Sequence, residues 1–254
     1  MIKKKLFGEN ILLREEGSAD IYPEDISKIF RWMMKIKFPS EPIILDIGAN
    51  IGMFSLSYAS IFKRAKIHCF EPVPFIFNFL NRNLEANSSL NKNIFSYNFG
   101  FSNCFEQKQL SIPIPVQHER YTKNLDIRLY SVFGQGDEKF DAKFKPLDKW
   151  VEEIKINDLN FIKIDVEGYE YLVLEGASKT LLKYRPIVMF ELNEMTLALS
   201  KRTIDEYFFF AKTHGYQIFG LEYGYKSKLL KIDSQDKVNL VSDLILLPKS
   251  SNIF

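Results

Sequence analysis

Asp46, Glu71, Asp165 and Glu167 are acids that each stand where a short apolar run gives way to a turn, and Gly48 and Gly52 flank the first of those turns. The segment Leu45-Asp46-Ile47-Gly48-Ala49-Asn50-Ile51-Gly52 reads as a strand running into a glycine-bearing turn and then a helix. Glycine at 48 lets the backbone turn sharply and approach a ligand with no Cβ in the way, and glycine at 52 lets the helix start sit close. The expectation is a ligand held by the backbone amides of Gly48, Ala49, Asn50 and Gly52.

A turn of this kind binds a pyrophosphate when it reads G-x-G-x-x-G. Here the third glycine is missing, and Asp46 at the strand end would repel phosphate. An acid in that place suits a cofactor with a cationic amino-acid end, and S-adenosylmethionine supplies such a charge in its amino group and sulfonium. Phe70-Glu71-Pro72 places a carboxylate 19 positions after Gly52. That is close to the offset of about 20 residues at which an acid meets ribose hydroxyls in such folds, so Glu71, with Pro72 beside it, is expected to bind both. Gly100 and Phe101, within Asn98-Phe99-Gly100-Phe101-Ser102, are expected to form an adenine pocket by stacking.

Methyl transfer to an oxygen needs positioning and a nearby base. Asp165 and Glu167 follow the apolar run 161–164 and are the candidate bases, Asp165 also adjoining the cofactor. His118 is a further candidate because imidazole titrates near neutral pH. Glu191 could join the two acids around a hard cation such as Mg²⁺, although a metal-free site is the favoured expectation. Arg120, Tyr121 and Arg128 are candidate acceptor contacts, and His68 and His214 read as structural. Alternatively, Asp46 is a turn residue, Glu71 a solvated helix-start acid, and the later acids caps or ion-pair partners. The order of these residues on successive strand ends favours the functional reading. An NAD-linked oxidoreductase would want the third glycine, and a non-catalytic partner protein would tolerate a degraded turn, whereas this one is intact.

Short apolar runs at 43–47, 67–70, 94–97, 161–164 and 187–190 alternate with segments of helical period, as βαβ units require. Phe54, Tyr58, Ile61 and Phe62, then Ile76, Phe79, Leu80 and Leu84, then Tyr171, Leu174, Ala177 and Leu181, mark the helices between them. The runs at 217–219 and 243–247 are expected to close the sheet as an antiparallel C-terminal edge. The fold class is therefore α/β, with a mostly parallel sheet and helices on both faces. Residues 1–42 read as an N-terminal extension with an amphipathic helix over about 23–35, carrying Ile26, Ile29, Phe30 and Met33 on one side. Residues 43–254 form the main domain, in which 103–145 lacks a clear period and reads as an acceptor-binding insertion over the active site.

Hydrophobic residues make up 46% of the 254 and charged residues 26%, enough to bury a real core. The net charge of +2 offers no general pull on nucleic acid. The apolar clusters fall short of the ~20 residues that span a bilayer, and two cysteines outside any CxxC spacing fit a reducing cytoplasm. The expected partner is a small molecule or glycan, with the oligomeric state left open. The abundance of Lys, Ile, Asn and Phe suggests a bacterial source.

Two further stretches complete a recognisable set: Pro146-Leu147-Asp148-Lys149-Trp150, and Phe161-Ile162-Lys163-Ile164-Asp165-Val166-Glu167-Gly168-Tyr169-Glu170 followed by Leu172-Val173-Leu174-Glu175-Gly176-Ala177. With the turn at Asp46, the Phe70-Glu71-Pro72 step and the final Pro186-Ile187-Val188-Met189-Phe190-Glu191 strand, the chain resembles the FkbM family of methyltransferases from about Ile43 to Leu192. The resemblance implies a Rossmann-like class I methyltransferase fold and O-methylation of hydroxyls on natural products, sugars or glycolipids. Phe99, Phe101 and Asn103 depart from the small residues and the Asp that the family often carries after its third strand.

Overall fold

The structure is a computed structural model that describes residues 2–6, 9–13, 29–111, 132–133, 139–192, 194–222, 228–234, 237–238 and 241–249. Five strands run parallel: β3 (Ile43–Ile47), β4 (Lys66–Phe70), β5 (Ile94–Tyr97), β9 (Phe161–Ile164) and β10 (Ile187–Phe190). They match the five apolar runs read from the sequence. β11 (Tyr216–Glu222), β12 (Leu229–Lys231) and β13 (Val241–Pro248) extend the sheet, giving the order β12-β11-β13-β10-β9-β3-β4-β5. β13 lies between β10 and β11 and is antiparallel to both, so the expected C-terminal edge is present with its last strand tucked inward.

Strand alternation sends successive side chains to opposite faces, and two buried clusters result. Ile44, Ile67, Phe161 and Met189 face one cluster, and Leu45, Phe70, Ile162 and Phe190 face the other. Both faces are covered, which is why these strands read as near-continuous apolar runs. Helices α2 (Met53–Ile61) and α3 (Pro74–Ala86) pack on the first face. Helices α4 (Leu147–Ile154), α5 (Glu170–Gly176), α6 (Ser178–Tyr184) and α8 (Ile204–Thr213) pack on the second, and α7 (Glu194–Ser200) follows β10.

The N-terminal region holds more than the expected helix. Strands β1 (Ile2–Leu6) and β2 (Glu9–Leu13) form an antiparallel pair. The Asn87 side-chain amide donates to the Leu12 carbonyl at 2.8 Å, and its oxygen accepts from the Leu12 amide at 2.9 Å, tying β2 to the end of α3. The helical residues 29–33 (α1) bury Ile29, Phe30 and Met33 as the spacing implies, together with Trp32. Phe30 meets Tyr58 on α2 at 5.0 Å and Trp32 meets Phe161 on the sheet at 6.5 Å. Ile26 lies outside the described residues.

The apolar stripe from Tyr171 to Leu181 is split between α5 and α6. At the break, a Cβ on Gly176 would lie 2.1 Å from the Ser102 carbonyl oxygen, so the chain is pressed against the strand-end loop there. Asp148 then accepts from the Lys179 and Thr180 amides at 3.0 and 2.7 Å, starting α6 anew. In the stretch 103–145, β7 (Glu106–Leu110) and β8 (Phe140–Lys145) pair antiparallel, and β6 (Gly100–Phe101), just before it, joins β8 in parallel. Four of the five β7 residues are polar and three are exposed, which hides any alternation. Residues 112–131 and 134–138, with His118, Arg120, Tyr121 and Arg128, lie outside the described residues. Among the described residues no helix is long and apolar enough to cross a membrane.

Candidate active site

The chain visits β3, β4 and β5 on one side and then returns to lay β9 against the other side of β3. At such a switch point the loops leaving the strand ends diverge and open a crevice, the usual ligand site in open α/β sheets. A cavity of about 280 Å³ opens there. Of the residues expected from the sequence, Gly48, Ala49 and Asn50 line it from the β3 turn, and Glu71 and Pro72 from the tip of β4. Gly100 and Phe101 line it from β6, and Asp165 and Glu167 from the loop after β9.

The β3 turn holds its shape by internal bonds. The Gly48 and Ala49 amides both donate to the Phe70 carbonyl, at 3.0 and 2.9 Å. The Asn50 amide donates to Glu71 Oε2 at 3.0 Å, and the Ile51 amide to the Asn50 side chain at 2.7 Å. These amides are therefore engaged within the protein, and the expectation that they hold the ligand is corrected: the turn offers close backbone approach instead. Gly52 does not line the cavity. A Cβ there would meet Leu80 at 2.6 Å, so its φ of +88° serves the packing of α2 on α3.

Glu71 is buried, and its Oε1 accepts from the Val73 amide at 2.9 Å while Oε2 takes the Asn50 amide. Burial pushes its pKa up to about 7, against the pull of those two amides. A carboxylate has about four acceptor positions, so Glu71 retains capacity for a pair of ligand hydroxyls.

Asp46 is fully buried and does not line the cavity. Its Oδ2 accepts from Ser55 Oγ at 2.6 Å, and its Oδ1 lies 3.7 Å from Lys163 Nζ. The direct contact expected between Asp46 and the ligand is therefore not offered, because the side chain leaves β3 on the face covered by α2. Burial raises its pKa, opposed by Lys163 and Ser55.

Lys163 lines the cavity and donates to Asp165 Oδ2 at 2.9 Å. Burial works against its charge, but Asp165 and Asp46 outweigh it and hold the pKa above the ordinary lysine value. The loop that follows is closed by Glu170, whose Oε1 accepts from the Val166 and Gly168 amides, both at 3.2 Å. Neither Asp165 nor Glu167 caps α5, which starts without a side-chain cap. Glu167 takes a left-handed φ of +53°. Burial, then Asp165 and Glu191, push its pKa well above the carboxylate range.

Glu191, at the tip of β10, lines the same cavity. Asp165, Glu167 and Glu191 each offer a carboxylate oxygen within 4.8 Å of the others, a spacing that fits a hard cation. Tyr169 forms the adjoining wall; its hydroxyl donates to Glu106 Oε1 at 2.6 Å, which also accepts from Ser102 Oγ. Phe101 reaches the cavity while its ring packs 4.6 Å from Phe70. The sequence offered no signal for Leu110 or Phe144 as lining residues, since they arrive through the small sheet.

The other histidines are structural, as expected. His68 Nδ1 lies 3.0 Å from the Tyr97 hydroxyl, and burial lowers its pKa to about 4. His214 stacks on Phe210 at 3.9 Å.

A switch-point crevice beside a strand-end acid, on a mostly parallel sheet with an antiparallel β13, gives the chain the Rossmann-like α/β fold of the class I methyltransferase type. A family model described as the methyltransferase FkbM domain matches residues 46–225, and the chain belongs to that family. Methyltransferase sdnD of Sordaria araneosa is 30% identical over 162 residues, 56% of this chain and 62% of its own. The 2-O-methyltransferase NoeI of Sinorhizobium fredii is 25% identical over 183 residues, 68% of this chain and 72% of its own. The crystal structure of an FkbM methyltransferase from Methylobacillus flagellatus shares the fold at a TM-score of 0.51 and 15% identity, covering 92% of this chain and 48% of that one. The chain thus spans less than two thirds of sdnD and about half of the solved structure.

Proposed function

We propose that the chain transfers the methyl group of S-adenosylmethionine to a hydroxyl oxygen of a sugar, glycan or small polar natural product. The observation that carries this reading is the continuity of the cavity from Glu71 at the tip of β4 to Asp165, Glu167 and Glu191 at the tips of β9 and β10. One end suits ribose hydroxyls and the other suits a cationic centre and a proton. The name of the relative NoeI, a 2-O-methyltransferase, supports oxygen as the acceptor atom.

When bound, S-adenosylmethionine supplies an electrophilic methyl carbon whose transfer releases a neutral thioether. Glu71 accepts hydrogen bonds from the ribose hydroxyls. Asp165 presents negative charge towards the sulfonium and amino group. Glu167, or Asp165 beside it, would accept the hydroxyl proton of the acceptor during methyl transfer. Burial and neighbouring carboxylates raise the Glu167 pKa, so its ionised form is a stronger base than an exposed carboxylate.

The approach of the three carboxylates to within 4.8 Å of one another supports a second arrangement, in which Asp165, Glu167 and Glu191 would hold Mg²⁺, an ion that would supply Lewis acidity towards an acceptor diol. The metal-free route remains the favoured one. Incubation with methyl-labelled donor and a panel of glycans and small alcohols, with and without chelator, tests both. A methyl ether formed in the presence of chelator is expected. Methylation on nitrogen or carbon, or cofactor binding without transfer to any hydroxyl, would overturn the proposal.

A further inference from the structure

Lys163 is a cation inside the sheet. It is 4% exposed and sits at the third position of Phe161-Ile162-Lys163-Ile164, whose other members are apolar and buried. Its ammonium lies 2.9 Å from Asp165, 3.7 Å from Asp46 and 4.4 Å from the centre of the Phe54 ring. Burying an ammonium costs several kcal/mol unless it is well paired, so a lysine here without a task would be a poor substitute for an aliphatic residue.

The arrangement is directional. Asp46 is sealed behind the cavity by Ser55 and Lys163, whereas the Asp165 side chain is 34% exposed and lines it. Of Asp46 and Asp165, which flank the ammonium, only Asp165 presents its carboxylate to the cavity, and Asp243 adds further negative charge near Lys163. We infer that Lys163 is a positioning residue: braced from behind by Asp46 and Ser55, it orients the Asp165 carboxylate towards the cationic end of the cofactor, and Asp46 acts on the ligand only through it. This rests on the reading that S-adenosylmethionine occupies the cavity. The competing role is structural, with Asp46 and Lys163 merely neutralising one another inside the sheet.

The two roles separate in a double substitution. Lys163→Met alone strands the Asp46 charge and lowers Tm; adding Asp46→Asn removes that charge and restores Tm. Affinity for S-adenosylhomocysteine, measured by calorimetry, is expected to remain roughly tenfold or more below wild type in the double variant, the loss associated with a charge-assisted hydrogen bond. Affinity within about twofold of wild type would overturn the inference. Should the double variant not fold, Asp165→Asn gives the second reading at a partly exposed position; it is expected to weaken binding by a similar factor, and wild-type affinity there also overturns the inference. A wild-type protein that fails to bind S-adenosylhomocysteine would instead defeat the proposed function itself.

Discussion

The backbone carbonyl of Asp165 occupies the space where a side chain on Gly48 would begin: a Cβ at Gly48 would lie 1.8 Å from that oxygen. The turn after β3 and the loop after β9 are therefore in backbone contact, and the Gly48 φ of +79° adds a conformation that other residues adopt at a cost of about 1–2 kcal/mol. Gly48→Ala is expected to destabilise the fold by at least about 2 kcal/mol, since backbone rather than a flexible side chain must move. Urea unfolding checks this, and a midpoint equal to wild type would show that the two loops are not so constrained.

In the proposed complex Glu71 would make cofactor affinity depend on pH. Its pKa in the folded protein is raised to about 7 by burial, and ribose hydroxyls would donate to its ionised form. Affinity for S-adenosylhomocysteine is therefore full above pH 7 and falls by about tenfold per unit as pH drops below it, since protonation must be reversed on binding. Glu71→Gln should bind weakly with a flat profile between pH 5.5 and 8, values chosen to lie roughly 1 unit or more either side of that midpoint. A slope retained in this variant would assign the titration to another group.

Glu167→Gln should reduce turnover by about 10²–10⁴-fold, the range for a lost general base, while changing cofactor affinity far less. Single-turnover rates beside calorimetric Kd values make the comparison. Full turnover would place the base elsewhere.

Asp148 starts α6 from outside the helix. It accepts from the Lys179 amide at 3.0 Å and from the Thr180 amide and hydroxyl at 2.7 Å each. Asp148→Ala should cost about 1–2 kcal/mol, the upper part of the range for a lost helix cap, and leave S-adenosylhomocysteine affinity unchanged because the residue lies away from the cavity. Equal thermal unfolding of variant and wild type would contradict it.

Much of the fold was legible because its signals are local. Each parallel strand is buried on both faces, so it appears as an unbroken apolar run, and Gly48 and Glu71 stand at the ends of two such runs. The β1–β2 pair escaped notice because three lysines in Ile2–Leu6 mask any apolar alternation. β7 escaped because four of its five residues are polar, and β8, although Phe140, Ala142 and Phe144 alternate with polar residues, escaped because its pairing partners lie thirty or more residues away, as at Glu106 and Phe144.

The strand-end placement of Glu71, Asp165 and Glu167 follows from residue type and spacing along the chain, and the family from the resemblance its motifs carry. Which acid meets the ligand does not, because that depends on contacts between elements far apart in sequence. Only the packed structure turns Asp46 inwards to Ser55 and Lys163, brings Glu191 against Asp165 and Glu167, and engages the turn amides of Gly48 and Ala49 with Phe70. A periodic pattern reports which face of an element is buried; the orientation of a charge is set by what the rest of the fold places against it.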